Sequence, residues 1–175
     1  ECIAFWKRKL QEPDKTKTFA LGLLYGPSGC GKSSLVKAGL LPRLNPDIIA
    51  VYLEATPDRT EKQLAELLRQ RIPELPPNGT LLDLLQSIRL DQGRKVVIFL
   101  DQFEQWLHGN SVRPEIELVR ALGQCDGSRL QVVLMIRDDF AMAASRLLGC
   151  LDVRIVEGEN YLPVDLFDEQ HAANV

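Results

Sequence analysis

Apolar residues in this chain follow two rhythms. One is the short unbroken run: Phe19–Tyr25, Ile48–Leu53, Val96–Leu100, Leu130–Ile136 and Val153–Val156. Runs of this length, rich in Val and Ile, predict strands covered on both faces. The other rhythm is helical. Phe5, Trp6 and Leu10 predict a short amphipathic helix, and Ser34–Leu41 a helix stopped by Pro42. Leu64, Leu67, Leu68 and Ile72 share one helical face, with Thr60 and Gln63 spaced as a capping box. Leu81, Leu84, Leu85 and Ile88 share another, with Thr80 and Asp83 as the cap. Two more helices are expected over 115–122, facing inward through Ile116, Val119 and Leu122, and over 138–149. Turns fall at Pro13–Lys15, 42–46, Pro73–Gly79, Asp91–Gly93, Asn110–Pro114 and 123–128. Residues 157–175 follow neither rhythm. Strand and helix alternate throughout, which predicts an α/β fold with a parallel sheet between two helical layers. The expected division is one domain over 1–175, with 1–17 as a lead-in and 157–175 as the start of a further connection.

Composition narrows the class. At 175 residues the chain suits one domain with a sizeable core, and 45% hydrophobic with 26% charged residues reads as globular. A net charge of −3 gives no electrostatic case for nucleic acid or an anionic membrane as main partner. No apolar run approaches the roughly 18 residues of a membrane span. Four cysteines form no C-x-x-C pair, and no histidine stands at zinc-ligand spacing. The chain opens on Glu1 and ends as abruptly, so it is expected to be a piece of a longer protein.

Between the first run and the next helix lies Gly26-Pro27-Ser28-Gly29-Cys30-Gly31-Lys32-Ser33. It fits G-x-x-x-x-G-K-[ST], the P-loop, in the strand–loop–helix setting the chemistry requires. Glycines let backbone N–H groups close around phosphate oxygens, and the helix N-terminus adds partial positive charge. Gly26 to Ser34 is therefore the expected nucleotide cradle. Lys32 is expected to reach the β- and γ-phosphates, and Ser33 to ligate Mg²⁺. Cys30 occupies a free position, as a small residue or as an oxidisable thiol. A nucleotide motif beside cysteines in no metal or redox pattern predicts a reducing, cytoplasmic setting.

Ligands of open α/β sheets bind where the strands end. Three further runs end in a polar group: Glu54, Asp101 and Arg137. Asp101 closes a very apolar run and supplies the oxygen a hard cation needs, or else caps the next helix. Glu104 is placed to polarise an attacking water, or is a solvated acid on a helix. Arg137 is placed to contact a γ-phosphate, or to pair with Asp138 or Asp139. Glu54 is open between a functional and a surface acid. The aromatic helix before the P-loop borders the nucleotide base or caps the sheet. His108 and His171 have no partner at a telling distance.

Taken together these residues resemble a known group. The extra helix-bearing segment between P-loop and acid-ending strand looks like the additional-strand class of P-loop ATPases, with expected strand order 5-1-4-3-2. Within that class Gly26 to Pro42, Val97 to Gln105 and Arg137-Asp138-Asp139-Phe140 resemble the three motifs of the novel STAND NTPases, signal-transduction ATPases with numerous domains. The resemblance implies an ATP- or ADP-binding switch inside a longer chain. It implies effector and sensor modules as neighbours, among them a serine/threonine kinase module in bacterial proteins, and nucleotide-dependent self-association. It also implies a helical and winged-helix part that this length cannot hold. Hydrolysis by the core alone is expected to be slow, since groups supplied in trans are worth several orders of magnitude at such sites. Two rivals stand beside the switch: a DNA-handling or transport ATPase of the same sheet class, and a scaffold that binds nucleotide for stability.

Overall fold

A computed structural model describes residues 2–91 and 93–164. Gln92 of the expected Asp91–Gly93 turn, His171 and the stretch from 165 lie outside them. Five parallel strands form one sheet: β1 Leu21–Gly26, β2 Ile49–Glu54, β3 Val96–Asp101, β4 Leu130–Arg137 and β5 Tyr161–Pro163. Their order is β2-β3-β4-β1-β5, which is the expected 5-1-4-3-2 read from the other edge.

Alternation along the central strands builds two cores. In β3, Val96, Ile98 and Leu100 face one side. There they meet Leu64 and Leu68 of α3 (Thr60–Arg71), Leu84 and Leu85 of α4 (Leu81–Leu90), Trp106 of α5 (Glu104–Gly109), Leu118 of α6 (Glu117–Leu122) and Leu147 of α7 (Ala141–Cys150). Val97 and Phe99 face the other side, with Leu24, Val133 and Met135. That side is closed by Trp6 and Leu10 of α1 (Cys2–Gln11) and by Val36 and Leu40 after the P-loop. Trp6 is fully buried and meets Phe19 edge-on at 5.7 Å. Of its two readings, the aromatic helix therefore caps the sheet.

Four local expectations are corrected. The fifth strand is not Val153–Val156. Those residues join no described strand, and Ile155 and Val156 are exposed. The free edge of β1 is taken instead by Tyr161–Pro163, where a proline is tolerated because one side of an edge strand needs no donor. Asn160 locks this arrangement: its carbonyl accepts from Leu23 N at 2.7 Å, and its side chain binds Val156 N and Arg154 O, both at 2.8 Å. Pro42 does not stop the helix after the P-loop. An α-helical turn, α2 (Lys32–Ser34), widens into a π-helix over Leu35–Leu40, and Pro42 sits inside a closing 3₁₀ turn over Leu41–Arg43, where its missing N–H costs nothing. Thr60 makes no capping box with Gln63. Arg59 is the N-cap, and the buried Thr60 hydroxyl stitches the preceding turn by accepting from Thr56 N (2.8 Å) and donating to Thr56 O (2.7 Å). The helix expected from 138 opens instead as a 3₁₀ turn over Asp138–Phe140, with α7 proper beginning at Ala141. The Thr80–Asp83 box forms as expected.

Candidate functional site

The site stands at the carboxyl ends of β1, β3 and β4, in a cleft of about 430 Å³. Its floor is the P-loop. Gly29 and Gly31 have φ of 79° and 88°, a left-handed conformation that favours glycine. A Cβ on Gly29 would meet nothing, so the demand there is conformational, not steric. Lys32 Nζ donates to the carbonyls of Gly26 (2.7 Å) and Pro27 (2.9 Å) and lies 3.6 Å from Cys30 Sγ. Cys30 itself is buried under the loop as a small packing residue.

The acid wall is built by β3. Asp101 is 2% exposed at the end of a wholly buried strand. Its Oδ1 accepts from Gln102 N at 2.8 Å, and its Oδ2 accepts from Ser33 Oγ at 2.6 Å and from the Tyr52 hydroxyl. Burial above all, and then the neighbouring carboxylate, raise the Tyr52 phenol far above its ordinary pKa, so it remains a donor. Gln102 follows at φ 51°, a left-handed turn that a non-glycine residue adopts at a cost of about 1 kcal/mol. The turn is fastened by Phe103 N on Met135 O (3.0 Å) and by Phe103 stacked on Trp106 at 5.4 Å. It turns α5 so that Glu104 lines the cleft while Phe103 and Trp106 enter the core. Glu104 is 5% exposed, and its Oε2 has no hydrogen-bond partner among the described residues. A buried carboxylate oxygen without a donor is costly, and a donor brought to it would relieve that cost.

The third wall is Arg137. It is partly exposed at the end of β4, lines the same cleft, and is held by Asp139 through Nε (3.1 Å) and Nη2 (2.5 Å). The geometry thus shows an ion pair with Asp139 and a position in the cleft.

The structure therefore brings Ser28, Gly29, Gly31, Lys32, Ser33 and Ser34 together with Asp101, Glu104 and Arg137. Gly26, Pro27 and Cys30 do not line the cleft. Glu54 stays outside it, paired at the surface with Lys37 at 3.2 Å. Sequence reasoning missed Gln102, Gln105 and Tyr52. Tyr52 had a signal: β2 neighbours β3 in the expected order, and the register pairing Glu54 with Asp101 sets Tyr52 two residues back from the acid. The donor set fits a hard divalent cation, because Ser33 and Asp101 offer adjacent oxygens and no soft ligand. Among the described residues no three or more His, Cys, Asp or Glu side chains form a group that could hold a metal ion, so a cation at Ser33 and Asp101 would need further oxygens. Phosphate and water are the usual suppliers of those.

Strand order, P-loop and buried acid define a P-loop NTPase fold of the additional-strand class. A sequence model of the novel STAND NTPase 1 family matches residues 7–163, and the chain belongs to that family. Among solved structures it is similar to Drosophila ORC bound to DNA, with 17% identity and a TM-score of 0.66 over 98% of this chain and 44% of that one. It is also similar to a Walker-type ATPase of Pyrococcus abyssi, with 17% identity and a TM-score of 0.59 over 96% of this chain and 54% of that one. The chain thus spans about half the length of these structures. No curated protein matches it. No helix among the described residues is long and apolar enough to cross a membrane.

Proposed function

We propose that this domain is a nucleotide-dependent switch that binds ATP or ADP with Mg²⁺ in the P-loop cleft and hydrolyses ATP slowly. The observation that carries the reading is Glu104, a buried acid that lines one cleft with the P-loop, Asp101 and Arg137. In this reading the backbone from Gly26 to Ser34 cradles the phosphates, and Lys32 leaves its two loop carbonyls for the β- and γ-phosphates. Bound through Ser33 and Asp101, Mg²⁺ would neutralise phosphate charge. Glu104 orients a water and takes its proton as the water oxygen bonds to the γ-phosphorus. The bond to the β–γ bridging oxygen breaks, leaving ADP and phosphate. Arg137 trades Asp139 for the γ-phosphate and so reports which nucleotide is present.

Family membership supports the NTPase core, and slow turnover is what a core without groups supplied in trans would give. The switch would act in the cytoplasm on effector and sensor modules of the same chain, a serine/threonine kinase among them, with nucleotide-dependent self-association as an output. The DNA in the ORC structure belongs to that protein; a net charge of −3 here favours no such partner. The test is Lys32→Ala in a fluorescent-nucleotide titration. Affinity for both ATP and ADP should drop severely; unchanged affinity would end the reading.

A further inference from the structure

Two hydroxyls converge on one oxygen of the buried acid. Asp101 Oδ2 accepts from Ser33 Oγ and from the Tyr52 hydroxyl, while Oδ1 is held by the backbone N–H of Gln102. The two hydroxyl donors come from different elements. Ser33 is on the P-loop helix, and its hydroxyl has one proton and two lone pairs, so it can offer a lone pair to a cation and still donate to Asp101. Tyr52 is on β2, whose register sets Tyr52 opposite Phe99 and Glu54 opposite Asp101. Its ring is fixed from outside by Lys37, whose ammonium lies 4.6 Å from the ring centroid and is itself paired with Glu54 at 3.2 Å. Tyr52 therefore comes to the acid from a strand of the sheet, a different element from the one that carries Ser33.

We infer that Tyr52 is a positioning residue for the metal-serving carboxylate: its hydroxyl, beside that of Ser33, holds Asp101 Oδ2 in place. The inference rests on the nucleotide-site reading above and deepens it. A carboxylate with one oxygen on a backbone N–H and the other on a fixed phenol cannot swing about its χ2 axis. Without the phenol, Oδ2 keeps one donor, Ser33, where it had two. Partners that orient a ligand in this way typically change metal affinity by about 10- to 100-fold.

Tyr52→Phe removes the hydroxyl and keeps the ring under Lys37. Nucleotide affinity is measured by fluorescent ADP and by a non-hydrolysable ATP analogue, in EDTA and across a Mg²⁺ titration, in the parent and in Y52F. The Mg²⁺ concentration for half-maximal tightening should rise about tenfold in Y52F, with affinity in EDTA unchanged. Comparing the two conditions within one variant cancels any loss of folded protein. An unchanged Mg²⁺ midpoint overturns the inference. So does a lower one, which would make the phenol a competitor for Oδ2. Equal weakening in EDTA and in Mg²⁺ would make Tyr52 a packing residue and likewise overturns it. These outcomes leave the nucleotide site standing if the parent binds and Lys32→Ala does not. A parent that binds no nucleotide overturns both.

Discussion

Asp101 and Arg137 end neighbouring strands of the same sheet and face the same cleft, yet their surroundings are opposite. Asp101 is buried, with three donors on its two oxygens, and the strand behind it is buried throughout. Glu104, three residues on, is nearly as buried. Arg137 is partly exposed, and among the described residues it pairs with an exposed aspartate two residues away. A group held in one geometry by buried neighbours suits a constant task, such as serving a cation or a water. A charge in solvent with a weak local partner can change partners at little cost, which suits the reading of a variable one. The cleft thus has a fixed wall and a movable one.

The largest expected effect is on the fixed wall's support. Phe99→Ala, two residues before Asp101 in the second core, should lower unfolding free energy by about 3–5 kcal/mol in urea. A small loss would mean that the acid strand is not the rigid member. Next, Glu104→Gln should reduce ATP turnover by about 100-fold or more, with the melting temperature unchanged or raised, because a buried charge has been removed. Parent-like turnover would take the water-orienting role from Glu104. On the movable wall, Arg137→Ala should change stability by less than about 0.5 kcal/mol, since the pair it breaks is exposed. Its preference for ATP over ADP should fall about tenfold. A large stability loss with intact preference would make Arg137 structural and erase the contrast. Asp139→Asn should act in the opposite direction and weakly, raising ATP affinity by no more than about fivefold, and less in high salt.

The smallest effect lies at the other end of β3. Lys95 donates to Glu12 O at 2.9 Å, and burial lowers its pKa from 10.5 to about 8. The folded state therefore releases this proton before the unfolded chain does, and stability should rise with pH between those two values. Lys95→Met should flatten that part of the pH–stability curve and leave nucleotide binding untouched.

Much of this was legible because it is local. The P-loop needs glycines at fixed offsets, and Gly29 and Gly31 show why in their φ angles. A strand covered on both faces must be apolar, so Val96–Leu100 announced itself, and the acid at its end with it. What escaped depends on competition between distant segments. Val153–Val156 has the better strand composition, but Asn160 and the edge of β1 select Tyr161–Pro163. Thr60 has the right spacing to Gln63, but Thr56 takes its hydroxyl first. Tyr52 became visible only through the fold: register sets it opposite Phe99, two residues back from Asp101, and its hydroxyl reaches forward to the acid. The left-handed Gln102, which brings Glu104 to the cleft, carries no compositional mark at all.

The short β5 has a mechanical consequence. Val164 N donates to Tyr25 O at 2.6 Å, and a Cβ on Gly26 would collide with the Val164 carbonyl. The first glycine of the phosphate loop is therefore roofed by the residue that leaves the sheet's edge. Among the described residues, the short pairing of Tyr161–Pro163 fastens this roof to β1. A pull on the chain beyond Val164 meets the Val164–Tyr25 bond before it meets the pairing of Tyr161–Pro163. The first bond to part is the one beside the loop, so tension reaches the phosphate grip before it reaches the core.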